Sequence, residues 1–210
     1  MTDEIAPPIE AVKKKRKSLT REYIEAIVIA ILLALVIRTL VVQAFTIPSG
    51  SMVPALQVGD YILVNKFLYG AEVPFTDLHL PAIRQPQRGD IIVFKYPQDE
   101  KRDFIKRVIG LSGEEVYIKG RTVYINGKPL DEPYAVHSDG TSHASVEYGP
   151  TVVPPDSYFM MGDNRDNSQD SRYWGFLKRD KIRGKAFIIY WSWDGDTHWL
   201  RWRRLGHYLP

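Results

Sequence analysis

Between Tyr23 and Val42 the chain reads YIEAIVIAILLALVIRTLVV. A run of roughly 20 apolar residues is about 30 Å long as a helix, the thickness of a hydrocarbon core. Its only charges are Glu25 and Arg38, one towards each end. There a long side chain can reach the headgroups, whereas a charge at mid-membrane costs roughly 2.5–3.5 kcal/mol. The apolar residues do not keep to one stripe, which argues against a surface amphipathic helix. A single transmembrane α-helix over residues 23–43 is therefore expected. Lys13, Lys14, Lys15, Arg16 and Lys17 stand just before it, and basic residues stay on the cytoplasmic side. Residues 1–22 then read as a cytoplasmic tail and residues 44–210 as an extracytoplasmic domain on the cell (plasma or inner) membrane. A cleaved leader is the rival reading, with Val42-Gln43-Ala44 as a cleavage site. Arg38 and the apolar residues beyond it speak against that.

The remainder reads as short β-strands. DYILVNKF (60–67), GDIIVFKY (89–96), DFIKRVIG (103–110), YFMMG (158–162) and GKAFIIYW (184–191) are bounded by Gly, Asp or Pro. EEVYIKGRTVYING (114–127) reads as a hairpin turning at Lys119-Gly120. Residues 127–150 are polar with Gly and Pro and read as a loop or excursion. The fold class is mainly β, an antiparallel β-rich domain carried on one N-terminal helix. The C-terminal stretch WSWDGDTHWLRWRRLGHYLP is rich in Trp and Arg. Its tryptophans either complete the core or form a patch suited to a bilayer interface.

Net charge is only +3, and no basic stripe crosses the folded part, so nucleic acid is not an expected partner. The absence of cysteine excludes disulfides, cysteine nucleophiles and thiolate metal sites. The five histidines fall in no triad motif, and neither G-x-S-x-G nor S-x-x-K occurs. His137, Asp139 and His143 lie close in sequence but without a metal-site signature; no metal and no cofactor are expected. A serine nucleophile would then need a lysine base. Free lysine is neutral in only roughly one molecule in 2,500 at pH 7, so the amine must be desolvated. Lys106, in FIKRVIG, shares a strand face with Phe104 and Val108. Lys66, in VNKF, is the weaker competitor. MGDNRDNSQDSRYWG (161–175) is dense in polar residues straight after an apolar strand, and can supply ion pairs and hydroxyls to a site.

FTIPSGSM (45–52), with two serines around one glycine just after the apolar run, joins these pieces. In this order IPSGSMVPAL, RGDIIVF, FIKRVIG and GDNRDNSQDSRYWG resemble the boxes of bacterial type I signal peptidases. The likeness runs from about Tyr23 to Tyr190 and is weakest across 127–150. It implies a membrane-bound serine endopeptidase that removes signal peptides from exported preproteins, with preproteins and the lipid bilayer as partners. It implies Ser51 as nucleophile, Lys106 as general base, and Ser49 with the Ser51 N–H as oxyanion donors. Ser168 would position the lysine ammonium, and Asp170 with Arg172 would form a supporting ion pair. Phe45, Ile47, Met52, Phe104 and Ile105 are expected to line the substrate cleft. Oligomeric state is left open. A membrane-anchored β module that only binds is the reading of a different class, and a self-cleaving Ser-Lys repressor is a nearer one; neither explains the boxes together with the apolar segment.

Overall fold

The computed structural model describes residues 19–36, 41–70, 81–137 and 147–210. The basic block at 13–17, Arg38, His79, Asp139 and His143 lie outside the described residues. Two compact units result, residues 1–36 and 37–210.

The first unit contains helix α1, Leu19–Val36. Its large apolar residues point outward all round: Ile24, Ile27, Ile29, Ile31, Leu32, Leu33 and Leu35 are each more than half exposed. Arg21 and Glu25 pair across one turn at 3.0 Å. Eighteen residues span about 27 Å, and Arg21, Glu22 and Glu25 occupy the first two turns. Among the described residues no helix is long and apolar enough to cross a membrane. The expected helical span over 23–43 is corrected at its far end, where Val42 and Gln43 open a strand. They lie opposite Asn65 and Val64 in a ladder, and β-branched apolar residues satisfy either pattern.

The second unit is an antiparallel β fold. In chain order its strands are β1 (Val42–Thr46), β2 (Asp60–Asn65), β3 (Ile91–Tyr96), β4 (Asp99–Gly110), β5 (Glu115–Lys119), β6 (Thr122–Ile125) and β7 (Lys128–Pro129). They continue with β8 (Glu147–Val152), β9 (Ser157–Met161), β10 (Leu177–Lys178), β11 (Ile182–Asp194), β12 (Trp199–Leu200) and β13 (His207–Tyr208). A one-turn helix, α2, covers Ser171–Trp174. The main sheet runs β1-β2-β11-β3-β4-β9-β10, with β12 and β13 pairing β11; a smaller sheet runs β7-β6-β5-β8.

Every strand expected from sequence is present. The excursion over 127–150 is not all loop: β7 lies within it, β8 begins within it, and the two edge the small sheet.

Strand alternation sorts the core. Ile91 and Val93 of β3 face one cluster with Met52, Ile62, Ile105 and Ile189, while Ile92 and Phe94 face another with Val108 and Met160. A third cluster, including Ile109, Val116, Val123 and Phe159, joins the small sheet to β4 and β9. The C-terminal tryptophans do not complete the core. Trp191, Trp193, Trp199 and Trp202 are 42–69% exposed, while the aliphatic Leu209 is buried. Arg204 ties this tail inward, bonding to Asp60 at 3.0 and 2.5 Å and to the carbonyl of Ala55 at 2.9 Å.

Candidate active site

A single turn of 3-10 helix, Gly50–Met52, follows β1. Met52 is fully buried and anchors the turn in the core. Ser51, one residue earlier, is 8% exposed. Lys106 stands in β4 opposite Ile92, in the stretch where the strand passes from exposed to buried. It is 4% exposed, and its Nζ lies 2.7 Å from Ser51 Oγ. The carbonyl of Ile105 accepts a second bond from the same nitrogen at 2.9 Å, and the Phe104 ring centroid is 5.4 Å away. Among the described residues no carboxylate pairs directly with this amine. Burial therefore dominates and pushes its pKa down from 10.5 to about 8; the more distant charges of Asp170 and Asp163 oppose the shift. Lys66 lies beyond the end of β2 and is only half-buried.

The loop after β9 backs this pair. Asn164 donates its N–H to the carbonyl of Ser51 (3.1 Å) and its side-chain amide to the carbonyl of Gly50 (3.2 Å). Gly162 has no room for a side chain, since a Cβ there would sit 2.5 Å from the Ser51 carbonyl oxygen and 2.4 Å from Ser168 Oγ. Gly50 is not constrained in this way by the protein, because a Cβ there would meet only Val53 at 3.7 Å. Asp170 is wholly buried and caps α2. It accepts from Arg172 Nε at 2.8 Å, Arg172 Nη2 at 2.9 Å and the Gly162 N–H at 3.1 Å. Arg107, beside Lys106 in β4, makes a bidentate buried pair with Asp163 at 2.8 and 2.6 Å. Arg165 does the same with Glu132 at 2.8 and 2.5 Å.

A cleft of about 500 Å³ opens onto Ser51 and Lys106. Pro48, Ser49 and Gly50 form one wall, Arg102, Asp103, Phe104 and Ile105 the other, and Asn167 and Gln169 also line it. Ser49 is exposed, and its hydroxyl does not cap the turn.

Several sequence expectations need correction. Ile47 and Met52 are core residues, at 2% and 0% exposure, and Phe45 packs against the same core; none of the three lines the cleft. Met52, next to the serine in sequence, points inward because it anchors the turn in the core. Ser168, expected to position the Lys106 ammonium, makes no hydrogen bond to it: Ser168 Oγ is buried with no hydrogen-bond partner. Sequence reading missed Gly162, Asn164, the Arg107–Asp163 pair and Glu132. The first four lie within or beside boxes already singled out. Glu132 carries no local signal at all. Among the described residues no cluster of His, Asp and Glu is poised for a metal ion.

The signal peptidase, peptidase S26, family profile matches residues 20–191. The chain is 37% identical to signal peptidase I of Pseudomonas fluorescens, across 92% of this chain and 81% of that protein. It is 41% identical to a probable signal peptidase I-2 of Synechocystis, across 91% of this chain and 83% of the other. A crystal structure of a signal peptidase I from Enterococcus faecalis aligns with a TM-score of 0.43 at 37% identity, covering 50% of this chain and 98% of that one.

Proposed function

Because the chain belongs to the signal peptidase family, peptidase S26, we propose that its protease activity runs on a Ser51–Lys106 dyad and removes signal peptides from exported preproteins at a membrane. The observation that carries this reading is the 2.7 Å approach of a buried lysine amine to a buried serine hydroxyl in the lining of a cleft. An extended preprotein segment adds to the exposed backbone of the cleft walls. Phe104 and Ile105 offer apolar surface to small side chains there.

In the neutral state the Lys106 amine accepts the Ser51 proton along the observed contact while Oγ attacks the scissile carbonyl carbon. The developing oxyanion is met by Ser49 Oγ and the Ser51 N–H, and one such donor is typically worth about 2.7–4 kcal/mol. The Lys106 ammonium then protonates the leaving amine, and the regenerated neutral amine deprotonates the water that hydrolyses the acyl-enzyme. The Asp170–Arg172 pair holds the Gly162 backbone against Ser51. Ser168 contributes its hydroxyl to the packing around Gly162.

Membrane attachment is the second part of the proposal. A helix whose apolar residues are exposed on every side, as in α1, is stable only against lipid or another protein. The basic block before it sets the N-terminus on the cytoplasmic side and the β domain outside. Exposed Trp191, Trp193, Trp199 and Trp202, followed by exposed Arg203, have the composition of an interface-seeking surface.

Incubation of the detergent-solubilised protein with a preprotein tests the reaction. The expected result is a product shortened at one bond by the wild-type chain and none by Ser51→Ala. A Ser51→Ala protein that still cleaves removes the dyad.

A further inference from the structure

Residues 131–137 belong to the part of the chain least like the family boxes, yet they are fastened to the loop behind Ser51. The Val136 N–H donates to the Asp163 carbonyl at 2.8 Å, and the Val136 carbonyl accepts from the Arg165 N–H at 3.0 Å. Glu132, its side chain 8% exposed, holds two guanidinium nitrogens of Arg165. The Tyr134 ring centroid lies 4.0 Å from Arg107 Cζ, and the Tyr134 hydroxyl donates to Glu132 at 3.2 Å.

The other side of the same loop reaches the dyad. Arg165 Nε donates to the Gly162 carbonyl at 3.1 Å, and the Gly162 N–H donates to Asp170 at 3.1 Å. The Gly162 backbone is thus held through both of its polar groups. Its Cα has no space towards Ser51 or Ser168. Arg107, under Tyr134, is the immediate neighbour of Lys106 and is itself pinned to Asp163. Displacing the Arg165 guanidinium would therefore release one side of the peptide on which Ser51 rests.

Glu132 and Tyr134 do not line the cleft, so contact with substrate does not account for them. A buried ion pair adds little net stability over an apolar pair of the same volume, because desolvation offsets its attraction. What it does add is a fixed position for the guanidinium. We infer that residues 131–137 form a clamp that sets the Ser51–Lys106 geometry, with Glu132 as a positioning residue acting through Arg165 and Gly162. This rests on the dyad reading above.

The test is the double variant Glu132→Leu/Arg165→Met, which removes both charges and roughly keeps the volume. A displacement of about 1 Å at reacting groups can cost 10²-fold in rate. The expected result is a folded protein of unchanged or higher Tm whose kcat on a preprotein falls about tenfold to a hundredfold, with KM within about twofold. Glu132→Gln, which keeps an acceptor for Arg165, should retain more kcat per mole of folded protein than Glu132→Ala. A folded double variant with wild-type kcat overturns the inference, and so does a change confined to KM. If the double variant does not fold, equal kcat for the Gln and Ala variants overturns it. Ser51→Ala is assayed alongside: cleavage by that variant removes the dyad reading, whereas a silent Ser51→Ala beside a fully active double variant removes the clamp alone.

Discussion

Two buried charged groups sit close together on the main sheet and are handled in opposite ways. Asp90 lies one residue before β3 and is 5% exposed. Burial alone would raise its pKa. Instead Arg84 at 2.8 and 3.0 Å, Lys185 at 2.9 Å, the Tyr69 hydroxyl at 2.6 Å and the Gln87 N–H at 2.8 Å hold it well below the usual carboxylate range. Lys106 in β4 is equally buried, but its two close partners are a hydroxyl and a carbonyl, both uncharged. Its pKa moves towards the neutral form. A buried charge ringed by partners stays charged and ties the fold together. One left without a counter-ion is held ready to give up its proton, and stability is lost in keeping it so.

That contrast can be broken at either end. The largest effect is expected from Lys106→Met, which removes the base while keeping an apolar stem. Turnover on a preprotein should fall by about 10³-fold or more, and a variant within tenfold of wild type would end the role given to Lys106. At the other end, Asp90→Ala leaves its cationic and phenolic partners facing one another. Denaturant unfolding should show a loss of roughly 3–5 kcal/mol, with kcat per folded molecule nearly unchanged. An unaltered midpoint would mean that the Asp90 cluster is not what secures β3.

Gly162→Ala tests the packing behind the dyad, where the loop after β9 meets Ser51. The added methyl group meets the Ser51 carbonyl oxygen at 2.5 Å, so kcat should drop about 10²-fold, more than Tm would explain. The smallest effect is a gain. Below about pH 8 the folded wild type carries the Lys106 proton at a cost that the unfolded chain, with its pKa of 10.5, does not bear. Lys106→Met should therefore unfold with a free energy higher by on the order of 2 kcal/mol at pH 7. As pH rises from 8 towards 10.5 the folded protein sheds its proton before the unfolded chain does. Wild-type stability climbs across that window, and the advantage of the variant should vanish. An advantage that persists at pH 11 would point to packing rather than charge.

Much of the β domain was legible because the buried parts of its strands are apolar, β-branched and bounded by Gly, Asp or Pro, as in GDIIVFKY and FIKRVIG. Ser51 and Lys106 were legible as a pair only through the sequence boxes around them, since 55 positions separate them. Strand β1 was obscured because its first residue, Val42, ends an apolar run that also suits a helix. Ile47 and Met52 were misplaced because nearness to Ser51 in sequence says nothing about which side of the turn a side chain takes. Glu132 was invisible: its partner Arg165 lies 33 residues away, and a glutamate in a polar stretch looks solvated until its neighbours are known.

The central claim is that the Lys106 amine gives up its proton near neutral pH beside Ser51. Its titration can be followed directly by NMR of the protein carrying 13C-labelled lysine, with Lys106→Met used to assign the signal. A pKa of about 8, matching the pH at which cleavage of a preprotein rises to its plateau, is the expected result. A value near 10.5, or a rate that does not change as that amine titrates, would contradict the account.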